Sequence, residues 1–161
     1  MTLTVDVQVA TEGDDNPDPE SIRAWSEFVL NQADENFQPS SQEIEVCVRI
    51  VDSIESQTLN FQYRHKNLPT NVLSFPADLP ADVPIRHLGD IVICRDVVND
   101  EAQAQGKELR AHWAHMVVHG LLHLLGYDHV DEDDAEIMEG LETRIMIGLL
   151  FPPPYQIQTQ Q

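Results

Sequence analysis

One string constrains this chain more than any other: HGLLHLLGYDH, residues 119–129. The apolar spacing from about Lys107 to Leu125 predicts a long helix, stopped at Gly126. His119 and His123 stand four apart on it, one turn and about 6 Å from each other on one face. Imidazole nitrogens at that spacing converge on a metal ion with bonds of about 2.0–2.1 Å. His115 extends the row, but it lies about 12 Å along the axis from His123, too far for both to reach one small cation from a straight helix. A third ligand therefore comes from elsewhere. A glycine at 126 can adopt the left-handed conformation that reverses a chain, which brings His129 back towards the row.

Three neutral imidazoles and a water make a catalytic-type zinc site with one open position. Imidazole donors favour zinc over magnesium or calcium. The spacing HxxxHxxGxxH reproduces the HExxHxxGxxH pattern of zincin metalloproteases at every ligand and at the turn glycine, except that Gly120 replaces the glutamate that serves those enzymes as general base. That replacement argues against peptide hydrolysis. His115 reads as a supporting or packing group and His112 as a surface residue, while His65 and His87 are isolated and receive no metal role.

Composition narrows the partners. The 161 residues carry 28 Asp and Glu against 9 Lys and Arg, a formal charge of −19. A broad basic face for nucleic acid, and DNA binding with it, is excluded. The charge is uneven: residues 49–95 hold five acids and five bases, so an anion-binding surface belongs there. Non-specific affinity for any nucleic acid is expected to be weak and steeply salt-dependent. Aromatic content of 6% argues against an extended base-stacking platform. No apolar run reaches the roughly 20 residues of a membrane span, and MTLTVDVQVATEGDD lacks the pattern of a signal peptide. Cys47 and Cys94, far apart and in no CxxC pair, suit a reducing cytoplasm without a disulfide.

The pattern predicts strands at 2–9, 43–51, 71–76 and 88–95, and helices from Pro19, from Ser53 to about Tyr63, from Asp96 to about Gln105, over 107–125 and over about 131–150. Asp18 and Asp96 are expected helix caps. The run DEDDAE (131–136) reads as a solvated helix N-terminus, backed by a core stripe of Ile137, Met138, Leu141, Ile145 and Leu149. Strands come early and long helices late, which gives an α+β fold with a small mixed sheet, one domain over 1–150 and a Pro-rich flexible tail over 151–161. The tail's PPPY (152–155) resembles a WW-domain ligand, but a polyproline II segment explains it.

HGLLHLLGYDH, together with LNFQYRHKNLPTNVLSFP (59–76) and LGDIVI (88–93), resembles the YbeY family of bacterial rRNA-processing endoribonucleases over roughly residues 43–150. The resemblance implies a zincin-like α+β fold and one zinc ion on His119, His123 and His129. It also implies a functional arginine at Arg64 within a YR-x-K motif, where Lys66 is a candidate substrate contact. It further implies single-stranded rRNA as substrate, 16S rRNA 3′-end maturation, ribosome quality control, and contact with the small subunit and its assembly factors in the cytoplasm. Asn67 departs from the acid that commonly follows the motif lysine.

Arg64 and Lys66 lie in the neutral segment. A guanidinium forks onto two phosphate oxygens at any working pH. The ion either acidifies a bound water or polarises the phosphate while the RNA 2′-hydroxyl attacks, and the general base is His115, a group from another segment or the substrate itself. Asp128 reads as a turn residue. Thr70, Asn71 and Ser74 are candidate ligand contacts as well as turn and strand-edge residues. The competing readings are a zincin-type metalloprotease and a ribosome-biogenesis binding protein with structural zinc.

Overall fold

Alternating β-branched and polar residues build a four-stranded sheet, and apolar helical stripes cover it. The computed structural model describes residues 2–13, 15–33, 43–77, 85–128 and 130–155. In chain order the described elements are β1 (Thr2–Ala10), α1 (Pro19–Ala33), β2 (Glu43–Val51), α2 (Ser53–Arg64), β3 (Val72–Pro76), β4 (Ile85–Cys94), α3 (Arg95–Ala104), α4 (Leu109–Leu124) and α5 (Glu132–Gly148). The sheet order is β1-β2-β4-β3, with β1, β2 and β4 parallel and β3 antiparallel to β4. This is the mixed sheet of an α+β fold. None of the described helices is long and apolar enough to cross a membrane.

The period of two in β2 places Ile44, Val46, Val48 and Ile50 on one buried face. Against that face lie Ile22, Trp25 and Val29 of α1, Trp113, Val117 and Leu121 of α4, and Met138, Ile145 and Met146 of α5. The other face carries a smaller cluster, Val51, Leu73, Val92 and Cys94, packed by Leu59 of α2 and Val97 of α3. The core stripe of α5 is rotated from the expected one: Ile137 is exposed and Met146 takes a buried place.

Helix ends follow local chemistry. Asp18 Oδ1 accepts from the Ser21 N–H (3.3 Å), and Asp131 Oδ1 accepts from the Asp134 N–H (2.8 Å), so the acidic run does open a helix. Asp96 is not a cap. Helix α3 starts one residue earlier, and the Asp96 carboxylate takes the Ser53 hydroxyl hydrogen at 3.0 Å.

Helix α4 runs through the middle, and 11 of its 16 residues are buried, so its polar residues need internal partners. His112 is accordingly not a surface residue: it is buried against Glu101, with Nε2 and Oε1 3.0 Å apart. The edge strand β3 is tied to α4 by Ser74 Oγ donating to the Gly120 carbonyl at 2.9 Å. At Gly120 a Cβ would stand 2.8 Å from Cγ2 of buried Ile91 on β4, so the position has no room for a glutamate. Gly120→Ala is expected to cost about 1–3 kcal/mol of stability through overpacking. A lower urea midpoint at unchanged m-value checks this; an unchanged midpoint would show that Ile91 moves aside freely.

Candidate metal centre and cleft

The last turn of α4 is closed by a helix-reversing cap. Gly126 has φ 104°; its N–H donates to the His123 carbonyl and the Tyr127 N–H to the Leu122 carbonyl, both at 3.0 Å. Just before that turn the rings of His119 and His123 meet edge to face with centroids 4.6 Å apart, and their Nε2 atoms are 3.0 Å apart. Two bonds of about 2.0–2.1 Å at a tetrahedral angle would separate two ligand nitrogens by about 3.3 Å, so this pair fits a shared cation. His129, the expected third ligand, lies outside the described residues.

Behind the pair is a residue that sequence reasoning missed. Glu142 of α5 is fully buried and receives three hydrogens: from Nε2 of His115, from Nδ1 of His119 (3.2 Å) and from the Tyr155 hydroxyl (3.0 Å). A signal for it exists. Glu142 falls on the same helical face as Met138, Leu141 and Ile145, and a charge inside a core stripe demands partners. Donation from His119 Nδ1 leaves its Nε2 as a lone pair facing His123, the arrangement in which a carboxylate orients a metal-binding histidine. His115 is buried behind the pair, with its Nε2 on Glu142.

Burial alone pushes the Glu142 carboxyl up, but the hydrogen bonds from His115 and His119 outweigh it and hold the group at about 2. Burial also pulls His115 below the usual histidine range. Both groups hold their protons less tightly in the fold than in the unfolded chain, so acid favours unfolding. The contribution of His115 is present above the unfolded value of about 6.5 and that of Glu142 above about 4.3, and each is lost as pH falls through its folded value. The stability advantage of the wild type over Glu142→Gln is therefore expected to shrink steadily as pH drops from about 4.5 towards 2, read by urea denaturation at each pH. A difference that does not vary over that range would mean that the carboxylate is not ionised in the fold.

His115, His119 and Glu142 themselves offer ligand atoms within 4.8 Å of one another, a second arrangement that can hold a metal. The two oxygens of Glu142 already accept hydrogens from its neighbours, whereas the nitrogen pair of His119 and His123 opens on a cleft.

That cleft encloses about 850 Å³ and is lined by Arg64, Asn71, Ser74, His119, His123 and Asp128, among others. Arg64 is the last residue of α2, which stops because His65 takes the left-handed conformation (φ 59°). It is exposed, and among the described residues no carboxylate pairs with it. Two other bases of the neutral segment are spoken for: Arg49 is bidentate on Glu55 (2.6 and 2.9 Å), and Arg95 pairs with Asp15. Lys66 is exposed but is not among the cleft-lining residues.

The loop behind Arg64 is pinned by buried polar side chains of α2: Asn60 Nδ2 donates to the Leu68 carbonyl (2.8 Å), and Ser56 Oγ bridges the Thr70 N–H and carbonyl (both 3.0 Å). Asn71 caps the start of β3 through the Val72 N–H (2.7 Å) and holds Glu101 (3.1 Å). The hydrogen bond from His112 is the main reason why the Glu101 carboxyl sits below the usual range. Asp128 reaches the cleft rim, 4.0 Å from Nδ1 of His123.

The family profile described as Endoribonuclease YbeY matches residues 8–149 of this chain. Among solved structures, the chain is similar to the solution structure of TM1509 from Thermotoga maritima, with a TM-score of 0.57 and 23% sequence identity over 96% of this chain and 99% of that one, a likeness of fold.

Proposed function

Because this chain belongs to the YbeY endoribonuclease family, whose members act on ribosomal RNA during its maturation, we propose that it cuts single-stranded rRNA at one zinc ion held by His119, His123 and His129. The observation that carries this reading is the 3.0 Å pair of imidazole nitrogens in the same cleft as Arg64. The donor chemistry fits zinc, and the buried negative charge of Glu142 behind His119 favours a cation in front of it.

When bound, the ion supplies a Lewis acid for a phosphate oxygen or for water. The remaining work falls to this chain's residues. Arg64 grips the scissile phosphate with its guanidinium fork and stabilises charge that builds on it in the transition state. Glu142 fixes the tautomer and orientation of His119. Gly120 keeps α4 close to β4, which leaves no glutamate of the protease kind beside the ligands. At −19 the chain gains little from non-specific phosphate contacts; together with the family's place in rRNA maturation, this supports as its substrate the 16S rRNA 3′ end, presented by the small subunit in the cytoplasm. Lys66, exposed but not lining the cleft, is proposed to contact flanking phosphates only.

The test is cleavage of 16S rRNA precursor and of casein by the same preparation, with and without chelator. Chelator-sensitive RNA cutting with intact casein is expected. Chelator-sensitive loss of casein would support a protease instead, and intact RNA with metal-dependent folding would support a binding protein with structural zinc.

A further inference from the structure

The segment PPPY, which reads in the sequence as part of a tail, lies against the fold. Phe151 meets Trp25 edge to face at 6.1 Å, and the Lys107 ammonium donates to the Pro154 carbonyl at 2.9 Å. Tyr155 then sets its ring against His115 (5.4 Å, perpendicular) and its hydroxyl on Glu142. Residues 156–161 lie outside the described residues. Three consecutive prolines limit the backbone freedom between these two anchors, so little entropy opposes docking.

We propose that residues 151–155 form a strap that completes the metal centre, with Tyr155 as a positioning residue for His119 acting through Glu142. Oε2 of Glu142 takes the Tyr155 and His115 hydrogens while Oε1 takes that of His119. A carboxylate held from one side by two donors cannot rotate away from the third. Its orientation fixes which nitrogen of His119 carries the hydrogen, and hence which one faces His123. An open pocket of about 300 Å³ borders His115, His119, Pro154 and Tyr155, so the strap forms one wall of the space behind the ligand.

The inference rests on the metal reading above, and its test separates the two. Wild type, Tyr155→Phe and Glu142→Gln are compared in two measurements: zinc affinity by competition with a chromophoric chelator, and the His119 tautomer in metal-free protein by nitrogen-15 NMR. Tyr155→Phe keeps the ring and its packing and removes only the hydroxyl. Zinc affinity is expected to fall about 3- to 10-fold in Tyr155→Phe and about 10- to 100-fold in Glu142→Gln. The metal-free wild type is expected to hold the hydrogen on Nδ1 of His119, and Tyr155→Phe to shift part of the population to Nε2. Wild-type tautomer and zinc affinity in Tyr155→Phe, with only a lower melting temperature, would overturn the proposal and leave the strap a packing element. A wild type that binds no zinc would overturn the metal reading, while the tautomer would still decide the role of Tyr155.

Discussion

Replacing His123 by alanine is expected to strip the protein of its zinc and to slow cleavage of rRNA precursor by about 10³-fold. Metal-assisted stabilisation of charge on a phosphoryl oxygen is worth several kcal/mol, and each ~1.4 kcal/mol is tenfold in rate. His123 is the better probe of the pair because it makes no hydrogen bond to Glu142, so its removal does not leave a buried carboxylate short of a donor. Thermal stability of the metal-free variant should match that of metal-free wild type. Full cleavage by zinc-free His123→Ala protein would separate the activity from the site.

The second large effect belongs to Arg64. Arg64→Ala is expected to lower kcat by about 10²–10³-fold, the usual cost of removing one donor aimed at developing charge, with zinc content unchanged. The Michaelis constant should rise less than kcat falls, because the contact strengthens in the transition state. Arg64→Lys should recover only a minor part, since an ammonium is a point charge and cannot fork onto two oxygens. The exposed position at the end of α2 makes a folding defect an unconvincing alternative. Unchanged kcat in Arg64→Ala would remove this arginine from the chemistry.

Where the chain's local signals were strong, the sequence was a reliable guide. β2 occupies 43–51 because its alternation is unbroken, and α2 opens at Ser53 because Asp52 caps it. Gly126 reverses the chain as a glycine after a helix predicts. The approach of His119 and His123 followed from a spacing of four on one helix. The burial of His112 is not legible locally, because a histidine's neighbours in sequence carry no information about how deeply the whole helix sits; α4 is buried nearly all round, and the packing of α1, α3, α5 and the sheet decides that. Asp96 failed as a cap because Ser53, 43 residues earlier, competes for its carboxylate. The Glu142 network stayed hidden for a related reason. Its members come from α4, α5 and residue 155, and no local pattern announces that three distant segments will share one carboxylate.

The placement of the ion decides the account most directly, and the zinc content of freshly purified His129→Ala and His115→Ala measures it. With the cation on His119, His123 and His129, the first variant should emerge with almost none, and the second should keep about one equivalent at weakened affinity. Zinc retained by His129→Ala and lost from His115→Ala would move the ion to the buried group of His115, His119 and Glu142, and contradict the cleft site.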